Sequence, residues 1–378
     1  MRVVIAIDSF KGCLTSREAG EAACRGVLKA WPTAQVTVLP VSDGGDGLLD
    51  AFVAACGADV KSITARDALM RAVEARFAAA GNLACVEVAQ AAGLSLLKPD
   101  ERDAMHATSF GVGQLLKAAA RWPEVVVGLG GTATSDAGVG MMQALGLRFF
   151  DNNGDEMLPG QVDLERIAAV DKSGFLLSAK PCRVVVASDV RNPLYGPQGA
   201  AHVFAPQKGA SPTEVERLDA GMRNLARVMR PMLGNDVALR PGAGAAGGMG
   251  YALMALFDAQ FVEGAKWMLD LLNFDKLVDG ADMVITGEGS ADEQTLMGKL
   301  PSAVMRVAQA AGVPTLLVAG RVRNADVLHA AGFTHVQCIN DPDTPLSVAM
   351  RPDYAASRLT HTTADTLSAH NIGYRAVR

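Results

Sequence analysis

The sequence predicts an α/β protein in which one α/β domain is built from both chain ends and a second, mixed α/β domain is inserted between them. Three observations lead there. The chain opens on alternating strand and helix patterns, and it returns to that alternation from residue 283. Between these stretches, two strand patterns joined by Ala80-Gly81-Asn82 form an antiparallel-looking piece that breaks the rhythm. The boundaries this predicts are residues 1–62 plus 265–378 for the first domain and 63–264 for the inserted one.

Each element has its own signal. Residues 3–7 are a continuous apolar run, a buried-type strand that ends at Asp8. Residues 16–30 have helical spacing, with Ser16 as N-cap and Trp31-Pro32 as the stop. Residues 35–41 read as a strand, and residues 46–56 as a helix closed by Gly57. From about Ser62 the pattern changes, and residues 72–78 and 84–89 read as the two strands of the inserted piece. A helix over 108–121 and a strand over 124–127 lead into a glycine-rich segment. Asp151-Asn152-Asn153-Gly154 is a turn of hairpin type. Residues 183–188 form a strand that reaches Asp189, and Ser211-Pro212-Thr213-Glu214 starts a helix. The glycine-rich stretch 241–250 runs into an apolar helix over 251–257. Strands at 283–286, 315–319 and 335–339, and helices at 301–311 and 353–368, complete the pattern.

Composition narrows the function. A length of 378 residues favours two domains, and 49% apolar against 20% charged residues allows a sizeable core. A net charge of −5 argues against a sequence-independent nucleic-acid binder. It leaves room for a small anionic substrate at a locally positive site. The six cysteines form no Cys-x-x-Cys pair, which argues against a zinc ribbon and fits reduced thiols, as in the cytoplasm. The opening Met1-Arg2-Val3-Val4-Ile5-Ala6-Ile7-Asp8 is wrongly flanked for a signal peptide, and no long uncharged apolar run predicts a membrane span.

Five segments that follow strands combine glycine with carboxylate, hydroxyl or lysine groups, and such loops build the sites of parallel α/β sheets. The first is Asp8-Ser9-Phe10-Lys11-Gly12, in which Lys11 can pair with phosphate or carboxylate. A capped turn with a solvated lysine explains it equally. The second is Ser42-Asp43-Gly44-Gly45-Asp46-Gly47, whose acids suit Mg²⁺ or substrate hydroxyls, with helix capping by Asp46 as the plainer role. The third spans residues 128–140 and includes Gly130-Gly131-Thr132-Ala133-Thr134-Ser135. Its amides, hydroxyls and following helix start suggest phosphate binding, with a tight structural turn as the alternative. It lacks the Gly-Lys-Ser/Thr ending of a Walker A loop. The fourth is Asp189-Val190-Arg191-Asn192-Pro193, where Asp189 is placed as a general base. The fifth is Thr286-Gly287-Glu288-Gly289-Ser290, followed by Thr295 and Lys299. Its Glu288, set between glycines, reads as exposed for function. The match to G-x-G-x-x-G at 242–247 has a poor preceding strand and favours close backbone packing over a dinucleotide site. No His-Glu-x-x-His or Gly-x-Ser-x-Gly pattern is present.

Taken in order, these motifs, together with Phe204-Ala205-Pro206-Gln207-Lys208-Gly209-Ala210 and residues 241–248, closely resemble the bacterial glycerate kinases of the class that forms 2-phosphoglycerate. The likeness runs from residue 1 to about 370. It implies ATP-dependent phosphorylation of D-glycerate with Mg²⁺. It also implies two α/β domains, one a flavodoxin- or Rossmann-like parallel sheet from both chain ends and the other an inserted mixed sheet, with the active site in the cleft between. Four positions depart from the family pattern. Ile7 stands for a usual proline, Asp46 for glutamate, Arg191 for threonine and Ser290 for arginine. An arginine at 290 would stabilise phosphoryl charge, and Arg191 is one candidate to compensate for its loss.

The resemblance carries roles residue by residue. Asp189, Lys11 and Asp8 are the catalytic candidates, and either aspartate can act on the 2-hydroxyl. Gly130, Gly131, Thr132, Thr134, Ser135, Gly287 and Gly289 are expected to bind nucleotide. Ser9, Gly44, Gly45, Asp46, Arg191, Asn192 and Lys208 are expected to bind substrate, and Asp43 and Glu288 to hold the metal. The partners expected are glycerate and ATP, with no nucleic acid and no membrane; a homo-oligomer stays open. Two other readings remain: a kinase of another small hydroxy acid such as tartronate, and a non-catalytic sugar-acid sensor.

Overall fold

The computed structural model describes residues 1–176, 182–233 and 236–369. The tail 370–378 of the first predicted domain, and stretches 177–181 and 234–235 of the inserted one, lie outside the described residues. In chain order the strands are β1 (Arg2–Ile7), β2 (Gln35–Val38), β3 (Asp59–Arg66), β4 (Ala72–Ala80), β5 (Leu83–Glu87), β6 (Glu124–Gly128) and β7 (Arg148–Phe150). They continue as β8 (Ala169–Asp171), β9 (Arg183–Ala187), β10 (Gln260–Val262), β11 (Met283–Ala291), β12 (Thr315–Val322) and β13 (His335–Cys338). The chain divides into two units, one of Met1–Asp43, Asp50–Gly57 and the chain from Glu263 onward, the other of Gly44–Leu49 and Ala58–Val262.

The first unit is a parallel sheet in the order β13-β12-β11-β1-β2. Val3 to Ile7 of β1 are all buried, as expected for a parallel strand covered on both faces. On one face, Val3, Ile5, Met283, Ile285 and Val318 pack with Ala19, Ala23, Val27 and Leu359. These come from helices Ser16–Ala30 and Pro352–Ala369, which lie so close that a Cβ on Gly26 would stand 2.5 Å from the Thr360 carbonyl. On the other face, Leu317 and Ala319 pack with Met305, Leu328 and Phe333.

The cap of the first helix differs from the sequence reading. Thr15 is the N-cap, in a reciprocal pair with Glu18. The Ser16 hydroxyl is spent elsewhere: it donates to the Ile7 carbonyl at 2.6 Å and accepts from the Val41 amide at 2.8 Å. β2 is also shorter than expected, ending at Val38. The fifth segment is not a loop. β11 continues through Thr286-Gly287-Glu288-Gly289 to Ala291, because β12 supplies partners along that length.

The second unit is a mixed six-stranded sheet, β10-β9-β6-β5-β4-β3, in which β3–β4 and β4–β5 are antiparallel. Its inner strands carry Cys85, Val86, Val125, Val127, Val184 and Val186, all buried. The segment from Arg148 to Asp171 forms a separate two-stranded piece, β7–β8. Ser211 and Glu214 cap helix Pro212–Leu233 as their spacing predicts.

Candidate active site

In the first unit, Asp8 follows β1, and its amide donates to the Gly287 carbonyl at 2.9 Å. The side chain is only 6% exposed, and its Oδ1 accepts from the Ser9 amide at 2.8 Å. Burial pushes Asp8 well above the usual carboxylate range, and the Asp43 carboxylate adds to this. The Ser9 amide and Lys11 pull the other way, and Glu288 reinforces the rise. Glu288 is buried too, contrary to the exposed position its glycines suggested. It accepts from the Thr295 hydroxyl at 2.6 Å and from the Lys299 ammonium at 3.2 Å. Burial still raises its proton affinity against both donors, and Asp43 adds to that.

Buried Asp8 is repelled by Asp43 and Glu288, and buried Glu288 by Asp43, which favours the protonated form of each buried acid. Lys299 and Lys11 offset part of that repulsion. Among the described residues no three His, Cys, Asp or Glu side chains form a ready metal cage. Of the two expected nucleotide-binding glycines here, Gly287 serves strand packing, since a Cβ would stand 2.1 Å from the Val318 carbonyl. Gly289 lies against the Phe10–Lys11 backbone with ordinary spacing. The Ser9 hydroxyl is a buried atom with no hydrogen-bond partner among the described residues.

In the second unit, the segment after β6 is held by packing on all sides. A Cβ on Gly130 would stand 2.3 Å from the Gly45 α-carbon, and one on Gly131 would stand 2.0 Å from an Asp46 oxygen. Gly44, at φ +93°, is pressed in turn against the Ala187 carbonyl. Thr132 donates to the Ala92 carbonyl at 3.3 Å and lies 3.1 Å from the Thr134 hydroxyl. The Ser135 hydroxyl is buried and has no partner among the described residues. The next residue, Asp136, accepts from the Ser109 amide and hydroxyl, both at 2.8 Å, and from the Gly138 and Gly140 amides at 3.1 and 3.0 Å. The start of helix Val139–Ala144 is therefore already met by a carboxylate of the chain. This corrects the expectation that the helix start adds an open positive end for phosphate.

Asp46 does not cap the helix that follows it. Glu87 does, accepting from the Gly47 and Leu49 amides at 3.2 and 3.0 Å. Asp189 follows β9 and is half-buried. Arg191 beside it is exposed, and the Asn192 amide group donates to the Gln198 carbonyl at 2.8 Å. Lys208 is 2% exposed and donates to the Thr134 carbonyl at 2.6 Å. Burial takes its pKa down to about 7, against a small upward pull from Asp136. The 241–250 stretch is packing: Gly247, at φ +66°, would place a Cβ 2.0 Å from the Thr134 carbonyl.

The sequence pattern of the Glycerate kinase family matches residues 3–371. The chain belongs to the glycerate kinase family. The glycerate kinase of Bacillus subtilis (strain 168) is 37% identical over 370 residues, covering 97% of this chain and 96% of the relative. The glycerate 2-kinase of Escherichia coli (strain K12) is 37% identical over 359 residues, covering 94% of each. The crystal structure of a candidate glycerate kinase 2 from Salmonella typhimurium LT2 superposes with a TM-score of 0.82 at 37% identity, covering 99% of each chain. Glycerate kinases phosphorylate an alcohol group, and this chain is an enzyme of that kind. Among its described residues no helix is long and apolar enough to cross a membrane.

In this chain the expected site residues fall into two sets. Asp8, Ser9, Lys11, Asp43, Gly287, Glu288 and Gly289 belong to the first unit. Gly44, Gly45, Asp46, Gly130, Gly131, Thr132, Thr134, Ser135, Asp189, Arg191, Asn192 and Lys208 belong to the second. The supporting groups Asp136, Ser109 and Glu87 were not foreseen. Ser109 falls inside the helix expected over 108–121, which begins instead at Phe110, and its partner Asp136 lies 27 residues on.

Proposed function

We propose that this enzyme transfers the γ-phosphoryl group of ATP to the 2-hydroxyl of D-glycerate, giving 2-phosphoglycerate and ADP, with Mg²⁺ required. The observation that carries this is the buried carboxylate group at the C-terminal ends of β1 and β11, where Asp8 and Glu288 both hold protons more tightly than usual. A cation relieves that repulsion, and phosphoryl transfer needs one. Asp43 and Glu288 would hold Mg²⁺, which when bound neutralises phosphate charge.

The chain's own groups do the rest. Thr295 and Lys299 fix the Glu288 carboxylate through its two oxygens. Asp8 accepts the proton of the 2-hydroxyl as that oxygen bonds to phosphorus and the bridging P–O bond to ADP breaks. Its raised proton affinity suits a base whose pKa must approach the working pH. Asp189 is the alternative base. Lys11 supplies positive charge to the anionic oxygens. Residues 130–135 carry the nucleotide phosphates on amides and hydroxyls. None of the six cysteines forms a disulfide among the described residues, which supports a reducing compartment, the cytoplasm.

³¹P NMR of the protein with ATP, Mg²⁺ and D-glycerate tests this. A 2-phosphoglycerate signal is expected. 3-Phosphoglycerate would keep the kinase and overturn the attacked hydroxyl, and no glycerate-dependent product would overturn the reading.

A further inference from the structure

β11 and β12 run past the end of β1. The β1–β11 register stops at Ile7 with Gly287, whereas the β11–β12 ladder continues to Ser290 with Arg321 and Ala291 with Val322. Arg321 therefore stands at the C-terminal edge of the parallel sheet, where Asp8, Lys11 and Glu288 also lie and where such sheets bind ligands. Two close approaches fix its neighbourhood. A Cβ on Gly289 would lie 3.8 Å from the Lys11 amide nitrogen, and one on Gly320 would lie 2.6 Å from the Gly289 carbonyl. Arg321 is thus next in chain to a residue that packs on the Lys11 segment's neighbour. Ala291 and Val322 turn into the apolar layer with Met305 and Phe333. Their chain neighbours Ser290 and Arg321 are both exposed.

Arg321 also differs from the other arginines of the sheets. Arg2, Arg66, Arg76, Arg148 and Arg183 each donate to a carbonyl, carboxylate or amide oxygen of the chain. The Arg321 side chain makes no hydrogen bond or ion pair among the described residues. A solvated arginine on a strand flank needs no special place. This one is registered beside Ser290, a short uncharged side chain that stands where the resemblance led to an arginine.

We propose that Arg321 supplies, from the neighbouring strand, the guanidinium that position 290 lacks, and that it pairs with an anionic group handled beside Glu288. The chemistry is a planar fork of N–H donors on phosphoryl or carboxylate oxygens. The assignment rests on the kinase reading and names one more residue of that same site. It gives the charge to Arg321 rather than to Arg191.

Steady-state kinetics of Arg321→Ser, Arg321→Lys and the exchange variant Ser290→Arg/Arg321→Ser test it. Arg321→Ser is expected to lower kcat/KM about 100-fold, with Arg321→Lys losing less. The melting temperature should move by no more than about 1 °C, because an exposed, unpartnered side chain is removed. The exchange variant moves the guanidinium one strand across and should recover activity to within about tenfold of the parent. A loss in kcat with unchanged glycerate KM assigns the guanidinium to the phosphoryl group, and a selective rise in glycerate KM assigns it to the acceptor's carboxylate. An Arg321→Ser enzyme within about twofold of the parent in kcat and both KM values overturns the inference. The kinase reading fails separately, if the parent shows no glycerate-dependent turnover. Calorimetry with a non-hydrolysable ATP analogue plus Mg²⁺, and with glycerate, then still decides: weaker binding of either by Arg321→Ser supports the proposal, and unchanged affinity for both overturns it.

Discussion

Asp8 is held for chemistry at the expense of stability. Its folded-state proton affinity lies above the unfolded value, so its favourable contribution is complete below the unfolded pKa and is lost as pH rises through the folded one. Above the unfolded pKa the group counts against stability. Asp8→Asn should therefore raise the melting temperature while lowering kcat about 100-fold or more, readable by calorimetry and coupled assay. A variant that loses activity and stability together would place Asp8 among structural residues. Glu288→Gln keeps the Thr295 contact but removes the charge, and should raise the Mg²⁺ concentration for half-maximal activity about tenfold. Lys208 has the opposite sign. Its pKa is about 7 folded and 10.5 unfolded, so between those values the unfolded chain binds more protons. Stability from this residue is least below pH 7 and grows toward pH 10.5. Lys208→Met should flatten the rise of urea-unfolding free energy between about pH 8 and 9.5 by up to about 1.4 kcal/mol per pH unit. Types and positions of these residues were legible from motif order. Their burial was not: Glu288 between two glycines looked exposed, and only the β12 partner strand makes it an interior group.

At the scale of elements, the glycines of segment 128–140 were visible, but their reason was not. Sequence offers both a phosphate cradle and a tight turn, and the 44–47 turn pressed against Gly130 and Gly131, with Gly131 at φ +69°, gives both glycines a structural reason. The strand end of β11 was missed because glycine disfavours strands, and the partners that override this lie in residues 315–322. Asp136 ties this loop together by contacts 27 residues apart, which no local pattern announces. Asp136→Asn turns an amide group toward the Ser109, Gly138 and Gly140 donors, and should cost about 1–3 kcal/mol of stability. If residues 130–135 carry nucleotide, the KM for ATP should rise with it while the glycerate KM stays put.

At the scale of the molecule, the alternation of strand and helix at both ends of the chain announced the parallel sheet, and the hairpin at 80–82 announced the mixed one. Not announced was that Gly44–Leu49 belongs with the second sheet. Its side chains and backbone fill the space that Gly128 and Gly130 leave, with a Cβ on Gly128 meeting Leu48 at 2.6 Å. A fragment of residues 44–262 should therefore unfold at higher urea than one of residues 58–262, which leaves that slot empty and the Glu87 carboxylate without the Gly47 and Leu49 amides. Equal midpoints would show that the short segment adds nothing.

The pairing of β1 with β11 has a consequence for synthesis on the ribosome. β1 emerges first, yet its partner begins 280 residues later, at Val3 opposite Met283. At bacterial-type elongation speeds of about 5–20 residues per second, that is a wait of roughly 15–60 s. Throughout it, the apolar run Val3 to Ile7 has only β2 beside it and an open edge on the other side. The second unit, whose strands all lie between residues 59 and 262, can fold in that interval. The nascent chain thus carries an unpaired apolar strand edge until its last third is made, a delay set by the topology rather than by the chemistry.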